Sequence, residues 1–193
     1  MKKKFHLVVT ACLFSLLSLA QIKKGTVVGH FNVGDLRSIS LENNSSGKNN
    51  NLSFNPGVGY FIKNNWEIGV GINYNSFRYS ANYGNYSQRS NTIGIKAYSN
   101  YYFGKRKLKP YFSFQTGWYR GQGNYTTNGV KTDFNNTNFY TGIGGGLNWH
   151  ISPKVALFTE ANYIKNNPFG RDGHDGLNLT IGVRLFFGNK KKN

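Results

Sequence analysis

The sequence contains 193 residues and carries a formal net charge of +17, from 24 Lys and Arg against 7 Asp and Glu. Its 16% aromatic content excludes a disordered chain, because so many large apolar side chains can be buried. Its 24 glycines, 13 tyrosines and 15 phenylalanines disfavour a helical bundle, since these residues are poor helix formers. Because this length suits one domain, the composition predicts a single β-rich domain.

The first twenty residues have the pattern of a secretory signal peptide. Three lysines at positions 2–4 precede an apolar segment from Phe5 to Leu19, and the small residues Ser18 and Ala20 predict cleavage after Ala20. The expected domains are therefore a signal peptide over 1–20 and an exported domain over 21–193. Lipoprotein-type processing at Cys12 is disfavoured, because it would leave the apolar residues 13–19 on the mature chain. Cleavage after Ala20 removes this single cysteine, so we expect no disulfide.

Apolar residues recur at every second position in the rest of the chain. A clear example runs from Trp66 to Tyr74, where large apolar residues alternate with Glu, Gly and Asn. Such alternation places two different sets of side chains on the two faces of a strand. The same pattern predicts eight strands, over 26–35, 51–61, 66–75, 91–103, 109–119, 138–150, 154–164 and 177–187.

The connections between these strands alternate strictly between short and long. Short turns are predicted at 62–65, 104–108 and 151–153, and long polar connections at 36–50, 76–90, 120–137 and 165–176. An up-and-down meander with all its long loops at one end produces this order. It is the asymmetry of an outer-membrane barrel, which has short periplasmic turns and longer extracellular loops.

The polar face of the strands distinguishes a membrane barrel from a soluble sandwich or lipocalin-like barrel. In the soluble folds this face meets water and usually carries many Lys and Glu. Here it consists mostly of Gly, Asn, Ser, Thr and Tyr, which suits the narrow, filled interior of an eight-stranded barrel. The apolar face then meets lipid, and strands of about 10 residues can cross the membrane at a tilt. The prediction is an all-β, eight-stranded antiparallel up-and-down transmembrane β-barrel.

Four charged residues fall on the polar face and predict a polar network in the lumen: Glu67, Lys96, Glu160 and Arg184. Glu67 and Lys96 lie on the neighbouring third and fourth strands, and Glu160 and Arg184 lie on the seventh and eighth. Since an unpaired charge in so narrow an interior is costly, we expect each acid to pair with the base beside it. The functional alternative is that these charges gate a path for a solute.

The segment Phe54–Phe61 (FNPGVGYF), followed by Asn65–Gly69 (NWEIG), resembles small outer-membrane β-barrel domain proteins. The similarity is to the OmpX/OmpW-like and OmpA-barrel-like proteins of Bacteroidetes type, and it extends over essentially all of the mature chain. It implies a porin-like barrel in the cell outer membrane. The expected partners are outer-membrane lipid, lipopolysaccharide and the barrel assembly machinery, and the barrel is expected to be a monomer.

Candidate catalytic residues are few. His30 is expected inside the barrel and His150 near a periplasmic turn, and neither has an evident Ser or Asp partner for nucleophilic catalysis. Asp172, His174 and Asp175 cluster in the last connection, where a solvated glycine-rich turn is favoured over a cation site. We therefore expect no catalytic residue, no cofactor, no metal site and no enzyme activity.

Positive charge is concentrated at the predicted periplasmic end. Eleven Lys or Arg and no assigned acid lie there, at positions 23, 24, 63, 105–107, 109, 154 and 190–192. Nucleic-acid binding is disfavoured, because the chain is exported and has no basic strand face with exposed aromatic residues. Attraction to anionic lipid head groups explains the charge more simply.

The expected function is a structural or surface-interaction role through the long extracellular loops. The first alternative is passive transport of a small solute, which the OmpW-like resemblance allows. The second is an outer-membrane lipid-modifying enzyme. A continuous channel through the lumen would favour transport, whereas a filled lumen would favour the structural or interactive role.

Overall fold

The computed structural model describes residues 22–35, 47–81, 86–104, 107–166 and 175–188. Nearly all of these residues belong to eight β-strands: β1 Val27–Asp35, β2 Gly47–Lys63, β3 Trp66–Ala81, β4 Tyr86–Tyr102, β5 Leu108–Thr127, β6 Val130–His150, β7 Val155–Asn166 and β8 Asp175–Phe187. A search of the described ranges finds no helix that is both long and apolar enough to cross a membrane. The predicted signal peptide over 1–20 lies outside the described residues, as do Asp172 and His174.

The strands form one closed antiparallel barrel, in which each strand pairs with its neighbour in the chain. The ring closes between the first and last strands, where His30 of β1 lies opposite Arg184 of β8. This arrangement confirms the predicted eight-stranded up-and-down fold. Closure pairs the backbone groups of β1 with those of β8, which removes the open edge that a flat sheet would expose.

The turns between β2 and β3 and between β6 and β7 lie at one end of the barrel, which we call the short-turn end. In the β2–β3 turn, Asn65 takes a positive φ of 63°, a conformation that Asn adopts more readily than most residues. Its side-chain oxygen accepts a hydrogen bond of 2.8 Å from the backbone N–H of Ile22, which holds the N-terminal segment against this turn. In the β6–β7 turn, the Ser152 hydroxyl accepts hydrogen bonds from the backbone N–H groups of Lys154 and Val155.

Basic side chains surround this end of the barrel. Five of those predicted there are exposed: Lys23, Lys24, Lys63, Lys107 and Lys154. Lys109 differs from them because it points into the barrel, where its ammonium donates a hydrogen bond of 3.3 Å to the carbonyl oxygen of Gly104. The other five predicted bases, at 105, 106 and 190–192, lie outside the described residues.

The long connections are shorter than predicted, because β2 to β6 continue beyond their predicted boundaries. The predicted loop over 120–137 is instead a β-hairpin, closed by the two-residue turn Asn128-Gly129 with φ angles of 51° and 83°. The predicted loop over 76–90 likewise continues β3 to Ala81 and begins β4 at Tyr86. These segments carry polar side chains on both faces, so the apolar alternation is lost although the backbone ladders continue.

The continued strands form a sheet beyond the barrel wall, which we call the extracellular sheet. It consists of residues 47–53 of β2, 75–81 of β3, 86–92 of β4, 120–127 of β5 and 130–139 of β6. Among the described residues, each of its two outer strands has one neighbour. The β1–β2 ladder ends at Val33 and Phe54, and the β6–β7 ladder ends at Tyr140 and Asn166. The extracellular sheet therefore rises from one side of the barrel.

The barrel wall is inverted relative to that of a water-soluble protein. Its outward face carries large apolar side chains that are more than half exposed, such as Val70 (58%), Ile93 (60%) and Ile181 (53%). Its inward face buries charged side chains, such as Glu67 (0%) and Arg184 (1%). Soluble monomers rarely expose so large an apolar surface, so the outward face is matched to lipid and the inward face forms a polar core.

Candidate functional site in the lumen

Glu67 of β3 is fully buried in the half of the lumen that lies nearer the short turns. Its carboxylate is bonded to three side chains. Nε2 of His30 lies 2.5 Å from Oε1. The Tyr102 hydroxyl and the Asn100 amide donate to Oε2 at 2.6 and 3.2 Å. These bonds replace the water that the carboxylate loses on burial, which is what makes a charge in this position tolerable.

Arg184 of β8 is the central cation of the lumen. Nη2 lies 3.5 Å from Oε2 of Glu160, Nε donates to Nδ1 of His30 at 3.1 Å, and Nη1 donates to Oδ1 of Asn148 at 3.3 Å. The sequence predicts that Glu160 pairs with Arg184, because both lie on the polar face of neighbouring strands. This pairing is present. Three aromatic rings also lie against the guanidinium, with centroids 4.2, 4.3 and 5.4 Å from Cζ: Phe158, Tyr111 and Tyr102.

His30 joins Arg184 to Glu67, and the geometry assigns its tautomer. Arginine can only donate hydrogen bonds, so Nδ1 of His30 is the acceptor in the contact with Arg184 and carries no proton. The ring proton is then on Nε2, which donates it to Glu67. A neutral histidine thus links the positive charge of Arg184 to the negative charge of Glu67. The sequence places His30 in the lumen but gives no sign of this link.

Glu160 of β7 is held by side chains from two strands besides Arg184. The Tyr111 hydroxyl of β5 donates to Oε2 at 2.6 Å. The Asn162 amide, two residues further along β7, donates a short hydrogen bond to Oε1. Glycine residues of β6 make room for these groups: a Cβ at Gly146 would lie 2.6 Å from the Tyr111 hydroxyl oxygen. The network therefore depends on close packing across the lumen as well as on charge.

Lys96 of β4 faces the lumen but does not pair with Glu67, contrary to the sequence-based prediction. In the β3–β4 ladder the residue opposite Glu67 is Asn100, whereas Lys96 lies opposite Gly71. Four residues of strand separate Asn100 from Lys96, or about 13 Å along the strand at about 3.3 Å per residue. Among the described residues Lys96 makes no ion pair within 4.0 Å, and its ammonium lies 5.8 Å from the ring centroid of Tyr98.

Aromatic and apolar side chains fill the lumen at the short-turn end. The Phe61 ring lies 5.5 Å from that of Tyr102 and 6.4 Å from that of Phe186, and the Tyr102 ring lies 5.2 Å from that of Tyr111. These four rings and Val28 are each at most 4% exposed. Together with the Arg184 network above them, they form what we call the lumen plug. Rings packed and buried to this degree fill the lumen at this end of the barrel.

A polar cavity of about 360 Å³ lies above the lumen plug, on the side of the extracellular sheet. Amide side chains from seven of the eight strands line it, including Asn32, Asn55, Asn73 and Asn162. Lys96 also contributes to its wall. The lumen is therefore a polar chamber with a closed floor, a shape that eight-stranded barrels commonly have because their interior is filled by side chains.

The described lumen does not assemble a recognisable catalytic constellation. A nucleophilic mechanism requires a base within hydrogen-bond reach of a hydroxyl or thiol. The ring nitrogens of His30 are bonded to Glu67 and Arg184, and Nε2 of His150 lies 3.0 Å from the side chain of Asn148. Within the described ranges no three His, Cys, Asp or Glu side chains are grouped so that they could hold a metal ion.

A closed ring of eight antiparallel strands with an apolar outer face and a charged, plugged lumen defines an integral outer-membrane β-barrel. Comparison with known families agrees. Residues 7–187 match the family described as outer membrane protein beta-barrel domain, and the chain belongs to this family. The protein is therefore a membrane protein of the cell outer membrane. A search of curated protein sequences found no match.

Solved structures similar to the chain are also small barrels. Ail, the attachment invasion locus protein of Yersinia pestis, has a TM-score of 0.51 and 13% identity, over 85% of this chain and 99% of that one. The N-terminal barrel domain of Pseudomonas aeruginosa OprF has a TM-score of 0.48 and 16% identity, over 87% and 100%. Neisserial surface protein A has a TM-score of 0.47 and 23% identity, over 84% and 94%. The fold alone does not decide the role, because one fold can carry many functions.

Proposed function

We propose that the protein is a non-catalytic outer-membrane barrel that interacts with partners at the cell surface through its extracellular sheet. The observation that carries this proposal is the continuation of five strands beyond the apolar wall. On β3 the outward face changes from apolar at Tyr74 to polar at Ser76, and on β5 it changes between Trp118 and Arg120. A barrel that served only to span the membrane would not need ordered strands beyond this boundary.

The side chains of the extracellular sheet suit contact with another macromolecule. They are mainly Asn, Thr, Ser, Gly and Tyr, a composition that offers many hydrogen-bond donors and acceptors on a rigid backbone. Tyr125 and Val130 are large exposed residues close to the Asn128-Gly129 turn. An exposed aromatic and an exposed aliphatic side chain at the tip of a hairpin provide apolar contact area within this polar surface.

The lumen supports the non-catalytic part of the proposal. Both described histidines are engaged by side chains that carry no hydroxyl or thiol, and Glu160 is paired with Arg184. The lumen plug also disfavours the transport alternative, because its rings close the floor of the polar chamber. We further propose that the basic short-turn end contacts anionic lipid head groups. The barrel is proposed to act as a monomer that the barrel assembly machinery inserts beside lipid and lipopolysaccharide.

The lumen plug predicts that the barrel does not conduct ions. Purified protein reconstituted into a planar bilayer should give no steady current steps, because the packed rings of Phe61, Tyr102, Tyr111 and Phe186 leave no continuous water path. A general porin reconstituted in the same bilayer serves as the positive control. Reproducible steps from the wild-type barrel would favour passive transport over the proposed role.

The proposed interaction is tested by shortening the β5–β6 hairpin. Deleting residues 122–125 and 132–135 keeps the Asn128-Gly129 turn and the inward–outward alternation, because an even number of residues is removed from each strand. We expect this variant to insert normally, since the apolar wall is untouched. Bacteria that display it should lose most of the adhesion of wild-type cells, measured as retention on surfaces coated with extracellular glycoproteins and as cell–cell sedimentation.

A matched control changes the opposite end of the barrel. Inserting two glycines after Ser152 lengthens the β6–β7 turn without touching the extracellular sheet. This variant should adhere as the wild type does. If the shortened hairpin adheres equally well, or if wild-type cells adhere no better than cells without the protein, the proposed surface interaction is wrong.

A further inference from the structure

Three arginines lie on the outward face of neighbouring strands, just beyond the apolar wall. Arg78 of β3 and Arg89 of β4 are directly opposite each other in the ladder, and both are exposed. Arg120 of β5 is also exposed and lies opposite Ile93 of β4. Like charges directly opposite each other on paired strands destabilise a sheet. An anion bound between Arg78 and Arg89 would remove this cost.

Lys131, another base of the extracellular sheet, has an acidic partner among the described residues, whereas these three arginines do not. Nζ of Lys131 lies 3.4 Å from Oδ1 of Asp133. Within the described part of the chain, none of the three arginines has a carboxylate oxygen within 4.0 Å. Nε of Arg120 donates to the side chain of Asn135 at 3.1 Å, and Nε and Nη2 both lie 3.2 Å from the side-chain oxygen of Gln122. Neutral amides therefore position this guanidinium without compensating its charge.

An apolar groove of about 540 Å³ crosses the outward face of the same strands, on the membrane side of the arginines. Its floor is shallow because Ala97 and Thr116, which are paired across β4 and β5, have short side chains. Val70 of β3 is paired with Ala97 and lies beside it on the same outward face. The larger side chains of Ile95 and Trp118 form the edge nearest the arginines.

The arginines and the groove lie in the order in which a lipid presents its head group and its acyl chains. On β5, Thr116, Trp118 and Arg120 are successive outward-facing residues, so Arg120 lies about 13 Å beyond the floor of the groove at about 3.3 Å per residue. The positive charge therefore coincides with the polar head groups, while the groove faces the acyl chains. A soluble anion would use the arginines but not the groove.

The arginines also indicate how many anionic groups the lipid carries. Arg120 is paired with Ile93 of β4, and Ile93 is four residues from Arg89 on the same strand. The Arg78–Arg89 pair is therefore about 13 Å from Arg120 along the strand direction. Two phosphate groups held apart by a rigid framework can occupy both positions, whereas a phospholipid with one phosphate can occupy only one. Arginine is suited to phosphate because its planar guanidinium donates two parallel hydrogen bonds.

We propose that the outward face of β3–β5 binds one diphosphorylated glycolipid of the outer leaflet. One phosphate lies between Arg78 and Arg89, the other is bound by Arg120, and an acyl chain occupies the groove over Ala97 and Thr116. The three arginines lie at the base of the extracellular sheet, whereas the proposed surface interaction is tested at its tip, by shortening the β5–β6 hairpin, and lipid binding is measured on the purified barrel. Either proposal can therefore fail without the other.

The experiment measures binding of diphosphoryl lipid A to the purified barrel in neutral detergent micelles by native mass spectrometry. Wild-type protein should retain one molecule of diphosphoryl lipid A and bind phosphatidylglycerol more weakly. The triple variant R78Q/R89Q/R120Q should bind lipid A about a hundredfold more weakly, since each base near an anionic surface contributes about a fivefold effect. The double variant K131Q/K165Q removes two other exposed bases and should bind as the wild type does.

A second pair of variants tests the groove independently of charge. Ala97→Phe fills the floor of the groove, whereas Ala161→Phe adds the same ring to the lipid-facing side of β7. Only Ala97→Phe should weaken the binding of lipid A. The proposal is overturned if the triple arginine variant binds within about twofold of wild type, if phosphatidylglycerol binds as tightly as lipid A, or if the two phenylalanine variants behave alike.

Discussion

Replacing Arg184 with methionine should lower the free energy of unfolding by about 3–5 kcal/mol, because removing one partner leaves buried charge without compensation. Arg184 is the cation that contacts Glu160 directly and Glu67 through the neutral ring of His30. Methionine keeps much of the side-chain length, so the loss is mainly one of charge and hydrogen bonds. The measurement is urea-induced unfolding of the barrel in lipid vesicles, followed by tryptophan fluorescence.

The double variant Glu160→Gln/Arg184→Met separates charge from packing. Removing both members of a buried pair is often far less costly than removing one, because no unpaired ion remains. The double variant should therefore recover part of the stability that Arg184→Met loses. A loss below about 1 kcal/mol for Arg184→Met alone would mean that water enters the network and replaces the guanidinium.

Introducing an arginine at Val70 should destabilise the folded barrel by about 2–4 kcal/mol, the cost of a base on the lipid face near the membrane midplane. Val70 is the middle residue of the outward-facing apolar series from Trp66 to Tyr74 on β3. Ile181→Arg makes the same change within the outward-facing apolar series of β8 and should give a similar value. Both values come from urea unfolding in vesicles of defined thickness.

Ser80→Arg is the matched control for depth. Ser80 faces outward on the same strand, but it lies in the extracellular sheet, beyond the apolar wall. Its substitution should change stability by no more than about 1 kcal/mol, as for a base near the interface. Equal effects at Val70 and Ser80 would contradict the position of the membrane inferred from the apolar wall.

Alternation of apolar and polar residues is sufficient to predict all eight strands and the face on which each charged residue lies. The reason is physical: lipid on one side and a crowded polar lumen on the other impose opposite chemistry on successive side chains. Glu67 and Arg184 are therefore recognisable as lumen residues from position alone. The same signal fails over 76–90 and 120–137, because most side chains on both faces of the extracellular sheet are polar. The dipeptide Asn128-Gly129, a common hairpin turn, is the signal that identifies the β5–β6 hairpin.

Contacts within the lumen are harder to predict than the face of each strand. They depend on how far along the barrel axis each side chain lies, and alternation does not give that position. Alternation places Glu67 and Lys96 on the same face of neighbouring strands. In the β3–β4 ladder, however, the residue opposite Glu67 is Asn100, which is four residues from Lys96. The link from His30 to Glu67 joins strands whose relative position depends on a long connection and on the closing register. His30 and Arg184 are 154 residues apart in sequence and meet only across that closure.

The distance in sequence between His30 and Arg184 has a consequence for the order of assembly. The cation that compensates Glu67 and Glu160 comes from the final strand, so both carboxylates must stay hydrated until β8 reaches β1. A ring that has not closed would expose these charges, and expelling water from its lumen would be unfavourable. The dry interior and the last strand pairing therefore form together, which makes folding cooperative and ties its slowest step to the longest-range contact in the chain.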